Sequence, residues 1–146
     1  MGSSQLREAA DVRRFALAGR AHLTLRSKKT GTRFTYRLSR ITDSDAAFAS
    51  VLTGSNNEGD YSYAGIVDTS GFRTTRRSAL TCDAPSVRAL EWFSQKVLRD
   101  GMSPADLGLE VYHEGRCGKC ARLLTTPESV ERGIGPECWS KMEGRR

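Results

Sequence analysis

With 146 residues the chain has room for one full domain and a small appendage, but not for two large independent domains. Its 23 Lys and Arg residues outweigh 17 Asp and Glu, for a formal charge of +6. No apolar run approaches the roughly 20 residues needed to cross a bilayer, and the N-terminus lacks the residue order of a secretory signal. A cytoplasmic protein with no membrane partner is therefore expected.

In chain order, residues 5–18 mix Leu6, Val12, Phe15 and Leu17 with charged residues and predict a short helix. Residues 21–26 alternate Leu23 and Leu25 with His22, Thr24 and Arg26, the period-two pattern of a half-buried strand. A turn over 27–32 leads to a return strand at 33–41, with Phe34, Tyr36 and Leu38 on one face and Arg33, Thr35, Arg37 and Ser39 on the other. Further strands are predicted at 47–53, 61–67 and 71–75, with a turn-rich loop over 54–60. Residues 85–99 give the strongest helical pattern, from Val87, Leu90, Phe93 and Val97, with Asp83 or Ser86 as the cap and Asp100-Gly101 as the stop. After a Gly/Ser/Pro boundary at 101–106, residues 107–112 form a short strand that runs into the cysteines.

These elements predict an α+β fold: a four- or five-stranded antiparallel sheet with one packed helix, plus a small C-terminal treble-clef-like zinc unit. The corresponding division is 1–20 as a helical segment, 21–101 as the sheet domain and 107–146 as the zinc-binding unit.

Cys117 and Cys120 flank Gly118-Lys119 in a Cys-x-x-Cys turn, and Cys138 follows after 17 intervening residues, a spacing that suits a structural zinc ion. Pro136 opens a helix with Cys138 in its first turn, where the helix N-terminus favours a thiolate. A helical turn is expected over 127–132, stopped by Gly133-Ile134-Gly135. His113, four residues before Cys117, is the preferred fourth ligand, with Glu114, Glu137 or water as the alternatives. Arg116, Lys119 and Arg122 would temper the negative charge of such a shell. Three thiolates make the metal a poor Lewis acid and no deaminase-type signature accompanies them, so the zinc reads as structural rather than catalytic. Cys82 stands alone and is expected to be a small buried side chain.

The run from His113 through Cys117-Gly-Lys-Cys120 to Gly133-Ile-Gly-Pro-Glu-Cys138 resembles a zinc-motif family of unknown function found in bacteriophages, prophages, plasmids and their bacterial hosts. Lys29-Thr-Gly-Thr-Arg-Phe-Thr-Tyr-Arg37, Phe48-Ala-Ser-Val-Leu-Thr-Gly54 and Asp60-Tyr-Ser-Tyr63 look like the segment that often precedes that motif. The resemblance supports His113, Cys117, Cys120 and Cys138 as ligands. Ala121 departs from it, at a non-ligand position where a second glycine is common. A mobile-element setting inside a bacterial cell is implied, without an activity.

Arg13, Arg14, Arg20, Arg26, Lys28, Lys29, Arg33, Arg37 and Arg40 occur with no acidic residue between Val12 and Thr42. Such a field attracts phosphate or acidic protein. The expectation is a non-enzymatic nucleic-acid-binding protein whose Arg26, Lys28, Lys29, Arg33 and Arg37 track phosphates, with Tyr61, Tyr63 or Phe72 stacking bases if they project outward. The alternative is a protein-binding inhibitor of a host defence system, anti-CRISPR-like or otherwise, docking on a host protein or ribonucleoprotein. Neither His22 nor His113 sits in a sequence arrangement that announces a catalytic site.

Overall fold

The computed structural model describes residues 5–54, 60–120, 124 and 133–143, apart from the side chains of Met142 and Glu143. Most of the 54–60 loop, the helical turn expected over 127–132, Ala121 and Arg122 lie outside the described residues.

Alternating apolar residues build a seven-stranded antiparallel sheet: β1 (Gln5–Leu6), β2 (Arg20–Ser27), β3 (Arg33–Arg40), β4 (Ala47–Leu52), β5 (Tyr61–Asp68), β6 (Gly71–Arg73) and β7 (Leu109–His113). The spatial order is β1-β7-β2-β3-β4-β5-β6. The fold class is α+β, but the sheet exceeds the four or five strands expected. Two strands account for the difference. β7 pairs along the free edge of β2, with Leu25 opposite Val111, so the sheet takes in chain from both sides of the 101–106 boundary. Gln5 and Leu6 then pair with Tyr112 and Val111 as β1, and leave the expected opening helix to begin later.

That helix, α1 (Ala9–Ala16), buries Val12, Phe15 and Ala16. It joins α2 (Pro85–Phe93), which buries Val87, Leu90 and Phe93, so two helices rather than one pack on the sheet. The chain continues from α2 through wide π-helical turns over Ser94–Arg99. Gly101, at φ +71°, ends them with its N–H on Val97 O. The start of α2 differs from expectation. Ala84, which has no side-chain acceptor, is the N-cap, so no side chain caps the helix, and Pro85 at the first helical position leaves one orphan donor fewer. Cys82 is exposed, since it lies in the turn ahead of α2 rather than on a core-facing strand or helix.

Both helices share one apolar core with Leu23, Leu25, Tyr36, Leu38, Val51, Val67 and Val111 of the sheet. Burial of Tyr36 raises its pKa, and its hydroxyl donates to Ser86 O at 2.8 Å, which ties β3 to the start of α2. Among the described residues no helix is long and apolar enough to cross a membrane.

Candidate metal centre and the open sheet face

β7 ends at His113, and the chain turns through Gly115 into the Cys117–Cys120 knuckle. Two main-chain bonds anchor the knuckle: Arg20 N–H donates to Gly118 O at 2.6 Å, and Gly118 N–H donates to Gly133 O at 2.8 Å. Glycine is required at both points. A Cβ on Gly118 would lie 2.7 Å from Phe15 Cδ1 and 2.9 Å from Phe15 O, and one on Gly133, at φ +75°, would also lie 2.7 Å from Phe15 Cδ1. The Phe15 ring thus fills the space between α1 and the knuckle.

Past Gly133, Ile134 is fully buried, and Gly135 O accepts from Trp139 N–H at 2.9 Å to start α3 (Pro136–Glu143). Cys138 therefore stands in the first turn of a helix, as its sequence setting predicted. The ring of Trp139 lies under the Arg14 guanidinium, 4.7 Å from its centroid.

These restraints bring the sulfurs of Cys117, Cys120 and Cys138 within 4.8 Å of one another. Burial works to raise the Cys117 thiol pKa, but backbone N–H groups of Gly135, Cys120 and Lys119 outweigh it and hold the group below its ordinary value. Cys138 is pushed up to about 12, by burial first and then by hydrogen bonding to, and the charges of, Cys120 and Cys117. Three thiolates this close repel one another, and a cation among them is what permits all three to ionise. Proximity, N–H groups aimed at sulfur and an unfavourable like-charge cluster together fit a metal site.

His113 is buried against α1, with its ring centroid 5.6 Å from that of Phe15. It is not one of the three metal-capable side chains that come together, and its Nδ1 accepts the Gly115 N–H at 2.9 Å. Of the expected charge-softening cations, Arg116 is exposed and Lys119 is half-buried next to Cys120.

The five basic residues expected to track phosphates do not form one patch. Arg26 and Arg33 are direct cross-strand partners at the hairpin tip, with Lys28 and Lys29 exposed on the turn between them. Like charges so placed repel, and Glu110, opposite Arg26 on β7, relieves the pair by bonding the Arg26 guanidinium. That hydrogen bond lowers the Glu110 pKa. Arg37 lies farther along β3, with its guanidinium 4.7 Å from the Tyr61 ring centroid.

Register explains this arrangement. Across the sheet face opposite α1 and α2, His22 aligns with Arg37, Arg37 with Ser50 and Ser50 with Tyr63; the neighbouring row aligns Ser39 with Phe48 and Phe48 with Ile66. Phe48 is 45 % exposed and packs edge-on to Tyr63 at 6.0 Å. Phe72 pairs with Val67 and packs on the core, so of the three aromatics considered for stacking only Tyr61 and Tyr63 lie on the open face.

Sequence reasoning missed two members of this face. Phe48 was signalled by its alternation with Ala47 and Ala49. The His22–Glu114 pair, with Nδ1 2.9 Å from Oε1, carried no signal because its partners are far apart in sequence. The hydrogen bond from His22 lowers the Glu114 pKa. Beside them the Tyr61 hydroxyl is buried without a hydrogen-bond partner among the described residues, and its pKa is raised by burial and then by the Glu114 charge, against the opposing effect of Arg37.

Fold and site together define an α+β protein with a cysteine cluster suited to a metal ion. The DUF6011 family model, described as a family of unknown function, matches residues 108–143 and so takes in β7, all three clustered cysteines and α3. No curated protein and no solved structure is matched by the chain.

Proposed function

We propose that this is a non-enzymatic nucleic-acid-binding protein of a phage or other mobile element, active inside the bacterial host cell. Its C-terminal treble-clef-like unit is held by a structural zinc on Cys117, Cys120 and Cys138, with His113, which stands outside the sulfur cluster and would have to turn toward it, as the fourth ligand. The open sheet face is the observation that supports the binding role. It aligns Phe48 and Tyr63 with the Arg37–Tyr61 pair, offering rings and a guanidinium plane on which unpaired bases stack, while Arg33, Lys28 and Lys29 at the hairpin tip meet phosphates. Three thiolates suit a closed zinc shell, and the preference for zinc rests on that donor set.

The test is fluorescence anisotropy with random single-stranded oligonucleotides across a salt series. Log affinity should fall linearly with log salt. Phe48→Ala and Tyr61→Ala should each weaken binding by about 1–3 kcal/mol, the usual worth of a base stacked on an aromatic ring. Folded protein that fails to bind at low salt would overturn the reading and leave the protein-binding alternative.

A further inference from the structure

The acid-free stretch of arginines divides between the two ends of the β2–β3 hairpin. The ladder runs from Arg20 opposite Ser39 to Arg26 opposite Arg33, a separation of about 20 Å at the usual rise per strand residue. Arg26 and Arg33 belong to the tip. At the other end Arg13 and Arg14 of α1 and Arg40 of β3 converge with Lys119 of the knuckle around a cavity of about 340 Å³, which Asp45 and Thr69 also line. Four cations line it with one carboxylate, and a second, Asp11, pairs with Arg14 from outside the lining.

The arginines are positioned mostly by groups that leave their charge intact. Arg13 Nε donates to Leu98 O at 2.9 Å and Arg40 Nε donates to Ser44 O at 2.7 Å, so two guanidinium groups are oriented by main-chain carbonyls. Arg14 is braced by the Trp139 ring and by Asp11. Asp45 is 91 % exposed and stands 3.8 Å from Arg40, too solvated to cancel much charge. Lys119 is delivered by the knuckle, whose Gly118 O is fixed on Arg20 N–H at the start of β2. The Arg13 and Arg40 guanidinium groups, oriented and little cancelled, beside the Arg14–Asp11 pair, the Lys119 ammonium and Thr69, suit a tetrahedral oxyanion carrying more than one negative charge. The cavity volume is at the lower end of the range of roughly 300–1,000 Å³ for small-ligand pockets, which leaves room for an attached sugar.

We propose that this cavity is a binding site for a phosphate monoester, supplied either by a free nucleotide or by the terminal phosphate of a nucleic-acid strand. The site is separate from the sheet face. A singly charged internal phosphodiester satisfies it less well than a terminal dianion does.

The full-length, metal-loaded chain would be titrated calorimetrically at matched ionic strength with inorganic phosphate, adenosine 5′-monophosphate, and one oligonucleotide carrying either a 5′-phosphate or a 5′-hydroxyl. The 5′-phosphorylated strand should bind about tenfold more tightly than its hydroxyl counterpart. Lys119→Gln and Arg40→Gln, each checked for retained metal and circular dichroism, should each remove most of that preference. Equal affinity for the mononucleotide and the phosphorylated strand would assign the site to free nucleotides, and tighter binding of the strand would assign it to strand ends. Loss confined to the phosphorylated strand separates this site from the sheet face, whose failure lowers affinity for both strands alike. A folded wild-type chain that ignores the 5′-phosphate and does not bind the mononucleotide overturns the proposal, as does binding of inorganic phosphate alone.

Discussion

The sheet and the cysteine unit resist unfolding by different means. The sheet buries Leu23, Leu25, Tyr36, Leu38, Val51, Val67 and Val111 under two amphipathic helices, so burial of apolar surface offsets the conformational entropy lost on folding. Within the unit, Cys117 and Ile134 are the fully buried apolar residues among those described, and its three thiols repel one another once ionised. Two such residues add little burial, and a metal ion on the proposed site would supply a cross-link in addition. The two regions meet at Phe15, whose ring belongs to the core and also limits the side chains allowed at Gly118 and Gly133.

The largest effect expected from this contrast follows removal of the metal. Structural zinc in small modules contributes on the order of 10–16 kcal/mol of apparent binding energy, so, on the proposed zinc shell, Cys117→Ser or a strong chelator should abolish stoichiometric metal, read by elemental mass spectrometry. Hydrogen exchange should then rise across α3 and the knuckle while β2–β5 stay protected. Loss of protection in the strands as well would break the comparison and make the two regions one cooperative body. Next comes Phe15→Ala. Phe15 is 1 % exposed, and the cavity left by truncating a buried Phe costs about 3–5 kcal/mol. Thermal melting should show that loss, and competition with a chromogenic chelator should show weaker metal binding in the same variant, because the ring supports both regions.

Much of this architecture was legible because it is local. Period-two alternation located β2, β3, β4 and β5, and the i, i+3, i+4 pattern located α2, since both follow from side-chain direction along a single element. The strand at Gln5–Leu6 was not legible. Two residues have no period of their own, and they become a strand only because Tyr112 and Val111 lie opposite. The same holds for β7, whose run was visible although its place beside β2 was not. In the site, Cys117, Cys120 and Cys138 could be read from spacing alone. The His22–Glu114 pair and the cavity of Arg13, Arg14, Arg40 and Lys119 could not, because tertiary folding assembles them from segments that carry no common motif.

Gly118→Ala is a narrower probe of the junction. The added methyl meets both the Phe15 ring and its carbonyl oxygen, and only the ring is able to move aside. Overpacking of this kind costs about 1–3 kcal/mol. The expected result is a lower melting temperature together with weaker metal binding. Phe15→Leu in the same chain should recover part of both by vacating the space that the methyl needs. A Gly118→Ala variant as stable as the parent would show that the knuckle does not rest on α1.

The smallest effect lies in the sheet, at the β5–β6 turn far from the cysteines in sequence. Burial acts to raise the Asp68 pKa, but Ser70 N–H, the Arg73 guanidinium and Gly71 N–H outweigh it and leave the carboxyl below its ordinary value. Ser70 N–H lies 2.8 Å from one carboxylate oxygen and Arg73 lies 3.2 Å from the other. A carboxyl with a depressed folded-state pKa contributes stability that is fully present above the unfolded-state value of about 3.9 and is lost as pH falls through the folded-state value. Its worth is about 1 kcal/mol or less, because Arg73 is well exposed and solvent screens the pair. Denaturant melts between pH 7 and pH 3 should therefore show a steeper acid loss in the parent than in Asp68→Asn, with the two curves converging at the acid end. Metal binding measured at neutral pH should be the same in both. A shift in metal affinity on Asp68→Asn would mean that the turn and the knuckle communicate across the sheet end where Thr69 and Lys119 line one cavity, and the separation between sheet and cysteine unit would have to be redrawn there.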